Sequence, residues 1–310
     1  MIQNWNKKGL IFSPDNTHSW MHSHCQLPTV DYIGGDLFRV YFASRSKQNI
    51  SNIGYVELDI TNPDKSIYVS EDPVLTEGQI GCFDQFGVYP SCVVNYDNKK
   101  YLYYIGWVRG CTPPLFYASI GLAISEDAGK TYKKYSNAPI MSVSEYDPCL
   151  VTSPHVFLDN GVWRMNYVSG IKWENIDGEL KSFYHIKYAE SIDGINWKRE
   201  GKVSIDFKNS EERNVARPCV LKEDGIYKMW FSYVEGQLRY RMGYAESLDG
   251  LTWNRKDENI ELNIPFKGFD SEMTCYPAII THKGKKYMFY NGNNFGKEGI
   301  GLAIEEYYVK

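Results

Sequence analysis

Residues 186–197 read Ile186-Lys187-Tyr188-Ala189-Glu190-Ser191-Ile192-Asp193-Gly194-Ile195-Asn196-Trp197. The pattern returns as Met242-Gly243-Tyr244-Ala245-Glu246-Ser247-Leu248-Asp249-Gly250-Leu251-Thr252-Trp253, and more loosely as Ile120-Gly121-Leu122-Ala123-Ile124-Ser125-Glu126-Asp127 with Tyr132 at its end. Each copy is a buried-strand pattern, a tight turn and an outer aromatic. The Asp-Gly step supplies the positive φ that a hairpin turn needs. Outward from these copies, the strand alone recurs as Ile53-Gly54-Tyr55-Val56-Glu57 and Ile300-Gly301-Leu302-Ala303-Ile304. Upstream of each strand lies an aromatic strand: Phe38 to Phe42, Tyr101 to Trp107, Val162 to Val168, Tyr227 to Tyr233 and Lys286 to Tyr290. Before that, after a polar turn, comes a short apolar strand led by Pro28, Pro90, Pro154, Pro218 or Pro277, spaced 62, 64, 64 and 59 residues apart. Matching registers at three positions in five repeats make a chance origin untenable.

The repeat defines a four-stranded unit, and the last copy stops without its fourth strand. The missing piece is Trp5-Asn6-Lys7-Lys8-Gly9, which matches Trp197-Lys198-Arg199-Glu200-Gly201. The sequence therefore predicts an all-β, five-bladed β-propeller with four antiparallel strands per blade. The N-terminal strand closes the last blade, and residues 1–310 form one domain. A period near sixty excludes WD40 repeats, which run at ~40 to 45 residues.

Composition agrees. The 310 residues include 25 Tyr, 14 Phe and 8 Trp, and such side chains favour strands. A formal charge of −4 excludes the basic stripe of a nucleic-acid scaffold. No apolar run approaches the ~18 to 20 residues of a membrane span. The seven cysteines are scattered with no Cys-x-x-Cys pair, so neither a zinc site nor a disulfide framework is expected. The first residues carry no apolar signal-peptide core. These features predict a reduced, cytoplasmic protein that binds no nucleic acid and no membrane.

The pattern resembles the five-bladed glycosidases of glycoside hydrolase families 43, 32, 68 and 130 over the whole chain, and Ser125 to Tyr132 resembles the Asp-box turn of sialidases. Four strings are closer to a bacterial family of glycosidase-like proteins found among surface-polysaccharide genes: Ser23-His24-Cys25-Gln26-Leu27-Pro28, Ala216-Arg217-Pro218, Tyr188 to Trp197, and Asp270-Ser271-Glu272-Met273-Thr274-Cys275-Tyr276-Pro277. The resemblance implies a carbohydrate or nucleotide-sugar ligand at the mouth of the axial channel and no cofactor. Family 43 carries an Asp on the first inner strand and a Glu before the third proline. Here His24 and Gln26 occupy the first place and Thr152-Ser153 the second.

In a propeller the innermost strands line the channel, so polar residues near the prolines are the candidates. They are His22, His24 and Gln26; Asp84 and Gln85; Glu145, Asp147, Thr152 and Ser153; Glu212, Arg213, Asn214 and Arg217; Asp270 and Glu272. Glycosidic cleavage needs a protonated carboxyl group and an ionised one. Asp84 and Glu272 are the preferred pair, with His24 a third catalytic candidate. Gln26, Arg45, Trp107, Lys172, Trp173, Glu212 and Arg217 are expected to bind substrate. For each a structural role competes: Phe83-Asp84 recurs as Phe269-Asp270, which suits a repeated blade feature, and Arg45 also suits a solvated turn. His22 and His24 share one face of a regular strand and could hold a metal, but no carboxylate completes a motif, so no metal is expected. Two insertions, Val108 to Ser119 and Gly170 to Phe183, are expected to rim the mouth. Two functions follow: an enzyme that hydrolyses or transfers a glycosyl unit with paired carboxylates in surface-glycan metabolism, or a sugar or nucleotide-sugar binder on the same scaffold.

Overall fold

Short apolar and aromatic runs closed by Asp-Asn and Asp-Gly turns fold as antiparallel hairpins, and the computed structural model, which describes residues 2–15 and 17–306, is nearly all β. It begins with β1 (Gln3–Phe12). One sheet holds β2 (Ser23–Gly34), β3 (Leu37–Arg45), β4 (Ser51–Asp59) and β5 (Ser66–Val69). The next holds β6 (Val88–Tyr96), β7 (Lys99–Arg109), β8 (Phe116–Ser125) and β9 (Lys133–Lys134). Then follow β10 (Leu150–Asp159), β11 (Val162–Ile176), β12 (Glu179–Ser191) and β13 (Val203–Ile205), and β14 (Glu212–Glu223), β15 (Ile226–Glu235), β16 (Arg241–Ser247) and β17 (Asn254–Arg255). These two runs merge into one eight-stranded sheet because β12 and β14 pair in parallel at a single point, Tyr184 with Asn214. The last sheet contains β18 (Ile260–Glu261), β19 (Cys275–His282), β20 (Lys285–Asn291) and β21 (Ile300–Glu306), with β1 antiparallel to β21 and parallel to β18. Trp5 opposes Glu305 in that pairing. The first strands of the repeats, β2, β6, β10, β14 and β19, lie against one another in succession, and β19 also lies against β2.

The repeat prolines mark a kink in these inner strands. The residue before the proline has left-handed backbone in four repeats: Leu27 (φ 57°), Ser153 (φ 48°), Arg217 (φ 56°) and Tyr276 (φ 60°). A non-glycine residue there costs on the order of 1 kcal/mol or more. The register slips at each, as at a β-bulge, which bends the strand and re-aims a side chain.

A second repeated device is ionic. Asp84, Asp147 and Asp270 each accept a hydrogen bond from the tyrosine twenty positions on, namely Tyr104 (3.2 Å), Tyr167 (3.2 Å) and Tyr290 (2.8 Å). Each also meets a cation two residues after an outer aromatic: Lys134 at 2.6 Å, Arg199 at 2.8 Å and Lys7 at 2.6 Å. In the β14–β17 run, Arg255 grips Glu212 with both terminal nitrogens, at 2.6 and 2.8 Å. The cation of the last clamp comes from β1, as the match of Trp5-Asn6-Lys7 with Trp197-Lys198-Arg199 implies. In the first sheet Trp20 packs where Gly54 leaves room, stacked on Phe42.

The Ser-x-Asp turns latch each repeat to the one before it. In the third repeat Ser191 Oγ donates to Asp193 and accepts from the Gly194 amide, while Asp193 accepts from the amides of Ile195 and Asn196. The Gly194 carbonyl then accepts from Tyr103 of the preceding sheet at 2.8 Å. Tyr41 reaches Gly129, and Arg164 reaches Asp249, in the same way. Gly194 is at φ 73°, and a Cβ there would approach the Tyr103 hydroxyl to 2.8 Å.

Candidate functional site

The kinked inner strands open onto a cleft of about 780 Å³. Four of the five residues that precede a repeat proline line it: Leu27, Tyr89, Ser153 and Tyr276. Gln26, Thr152 and Ala216, one position earlier, also face it. Two insertions form the walls, as their length suggested. Residues 108–119 contribute Pro113, Pro114 and Phe116. The segment Gly170 to Phe183 is an extension of the β11–β12 hairpin, with Trp173 opposite Ser182, and contributes Trp173, Leu180 and Lys181. Trp173 stands edge-on to Phe116 at 5.6 Å.

A row of tyrosines also lines the cleft. Tyr184 and Tyr240 share a hydroxyl hydrogen bond, and the Tyr240 and Tyr276 rings lie 5.8 Å apart. Burial pushes all three phenols up, so they stay neutral. Phe295 (φ 59°) stacks on Tyr276 and completes the row. Its turn is pinned by Asn293, whose Oδ1 accepts from the amides of Glu272 and Met273.

The charged lining is Arg45, Arg213, Arg239, Lys181 and one carboxylate, Glu179, which pairs with Lys181. Arg45 donates to Gln26 Oε1 (3.0 Å) and Asn49 Oδ1 (3.3 Å), and Arg213 to the Gly236 carbonyl (2.6 Å).

Of the residues expected from sequence, Gln26, Arg45, Trp107 and Trp173 line this cleft. The others lie elsewhere. Asp84 is buried in its clamp with Lys134 and Tyr104, and Glu212 in its clamp with Arg255. Arg217 faces away, into a second cavity of about 80 Å³ on the far side of the prolines. There it donates to the carbonyls of Ser91 (2.6 Å) and Pro28 (2.9 Å) and to the hydroxyls of Ser91 and Thr29. Lys172 pairs with Glu174 and lies over Phe183 on the exposed face of the hairpin. Glu272 is exposed beside Met273 of the cleft wall. His24, Asp84, Arg217 and Glu272 are thus not gathered around one pocket. His24 has φ 68°, which breaks the alternation that would align it with the exposed His22. Burial, with Arg45 and Lys297 nearby, pushes its imidazole down to about 4. Among the described residues no group of three His, Cys, Asp or Glu side chains is placed to hold a metal.

Arg213, Thr152, Ser153 and Asn214, inner-strand candidates not assigned to binding, also line the cleft, and among the lining residues that the sequence did not single out are Arg239, Lys181, Tyr89 and the tyrosine row. The position before each repeat proline was the usable signal for Tyr89 and Tyr276. Nothing in the local sequence marks Arg239, which lies in the turn after β15.

This is the architecture of propeller-type glycoside hydrolases. The chain superposes on a glycoside hydrolase with a TM-score of 0.75 at 18% identity, covering 99% of this chain and 93% of that one. A thermostable family-43 glycoside hydrolase gives 0.66 at 17%, covering 96% and 93%. At these identities the likeness is one of fold. No family model matches. In sequence the chain is 38% identical over 304 residues to the uncharacterized proteins MT1551 and Rv1502 of Mycobacterium tuberculosis, covering 97% of this chain and 99% of each relative. It belongs to the family of those two proteins. A 1,2-beta-oligomannan phosphorylase of Thermoanaerobacter is 27% identical over 160 residues, 49% of this chain and 51% of that enzyme.

Proposed function

We propose that this is a five-bladed propeller whose cleft binds a carbohydrate and acts on its glycosidic bond. The succession of inner strands from β2 through β19 and back to β2 supports the blade count, with the eight-stranded sheet taken as two blades joined at Tyr184 and Asn214. The observation that carries the functional reading is the aromatic lining of Trp107, Trp173, Phe116 and Tyr276 beside polar groups, since sugar rings present an apolar face to aromatics and hydroxyls to polar groups. The solved glycoside hydrolases of this fold and the partial likeness to an oligomannan phosphorylase support it. Glu272, exposed next to the lining residue Met273, is the proposed proton donor. Asp84, held by Lys134, is proposed as a blade clamp instead of its partner.

A second reading, binding without cleavage, is favoured by one observation: Glu179, tied to Lys181, is the one carboxylate lining the cleft among the described residues. Titration with oligosaccharides and assay of bond cleavage separate the two. Trp173→Ala is expected to weaken sugar binding by roughly tenfold, about the worth of one aromatic contact. Glu272→Gln is expected to slow cleavage roughly 10²-fold with binding intact. Cleavage at the wild-type rate removes Glu272 as the acid. Binding with no turnover by the wild type establishes the second reading.

A further inference from the structure

We infer that the ligand of this cleft carries an anionic substituent on its sugar, held by Arg45, Arg213 and Arg239. The inference rests on the carbohydrate reading above and deepens it.

The ten arginines of the chain divide by place. Arg39, Arg164, Arg199 and Arg255, in the body of the sheets, each meet a carboxylate within 3.1 Å: Glu57, Asp159, Asp147 and Glu212. Among the described residues no carboxylate lies at ion-pair distance from Arg45, Arg109, Arg213, Arg217, Arg239 or Arg241. Arg217 is consumed by hydrogen bonds on the far side of the prolines, Arg241 donates to backbone carbonyls, and Arg109 rides on Phe86 and Trp107. The remaining three line one cleft.

Their partners are neutral. Arg45 and Arg213 hold only side-chain amides and a carbonyl, so the guanidinium charge is positioned without being neutralised. The tyrosine row lines the same cavity, with Tyr184 bonding Tyr240 and Tyr240 packing on Tyr276. A chain of net charge −4 thus concentrates uncompensated positive charge in this cleft. A guanidinium fork matches the geometry of a carboxylate or a phosphate. Because the aromatic wall lines the same cavity, one ligand is expected to satisfy both, with its ring on Trp173 and its anion at the arginines.

The test is calorimetric titration at low salt with matched ligands: a neutral hexoside, the corresponding hexuronate, the hexose 1-phosphate, a nucleoside diphosphate hexose, and inorganic phosphate alone. At least one anionic sugar is expected to bind tenfold or more tighter than the neutral hexoside, and which one identifies the anion. The advantage should shrink at high salt. It should fall in Arg239→Gln, an exposed position where folding is not at risk, and further in Arg213→Gln if that variant melts like the wild type. Equal binding of neutral and anionic sugars overturns the inference and leaves the carbohydrate reading standing. Inorganic phosphate binding as tightly as the sugar phosphate overturns it too, by removing the sugar's part. Failure of every sugar to bind sinks both.

Discussion

His155 on β10 is a partly buried imidazole at the small cavity, its Nε2 against the Val220 carbonyl and Arg217 nearby. Burial first, and then the guanidinium, push it down from 6.5 to about 4, as burial, Arg45 and Lys297 do for His24. In the unfolded chain both rings take a proton below about 6.5. In the folded chain they resist until about 4. Between those values the unfolded state binds more protons, so stability falls as pH falls through that window and is fully present above it. Melting temperature should therefore drop between pH 7 and pH 5, and the drop should be smaller in His155→Gln. A variant that loses as much on acidification as wild type removes His155 as a source. These two rings show what a single position discloses: the sequence offers six histidines, but burial depends on residues from other repeats. The same holds for Arg217, whose side chain could turn to either side of the inner strand. Its left-handed backbone and the acceptors on Pro28, Thr29 and Ser91 decide the side, and none is adjacent in sequence.

In three of the repeats a clamp of acid, tyrosine and cation joins the turn before the first strand, the second strand, and the outermost segment. Asp84 is almost fully buried, so removal of its cation leaves a charge without compensation. Lys134→Met should destabilise the protein by about 3 kcal/mol or more, and Asp84→Asn added to it should restore part of that loss. Urea unfolding measures both; a double mutant no more stable than Lys134→Met alone would contradict the clamp. The elements themselves were legible because their signals are local: Asp-Gly turns, alternation and aromatic strands. The recurrence of Phe83-Asp84 as Phe269-Asp270 already suggested a structural acid. What escaped was the cation, since Lys134, Arg199, Arg255 and Lys7 each follow an outer aromatic by two positions but meet acids distant in sequence.

For the molecule as a whole, the pairing of β1 with β21 joins residues nearly three hundred positions apart, and Lys7 brings the cation of the last clamp with it. The first and last sheets are tied again by Leu27 and Cys25 to Asn291, and by Asp36 to His282 and Lys283. Deleting residues 2–9 should expose the β21 edge, leave Asp270 unpaired, and yield a chain that aggregates and melts lower. Unchanged melting of a monomeric deletion variant would show that closure contributes little.

Among the described elements, the strand that completes the last sheet is synthesised before all the others. At 5–20 residues per second, synthesis of this length takes roughly 15 to 60 s, and through that interval residues 3–12 have no lasting partner. The earlier sheets can form in order behind them, each latched to its predecessor by a Ser-x-Asp turn, but the final one cannot close until Ile300–Glu306 emerges. An unpaired strand of ten residues is therefore carried by every nascent chain, and whatever shields it during translation decides the yield of completed last sheets as much as any contact in the finished fold.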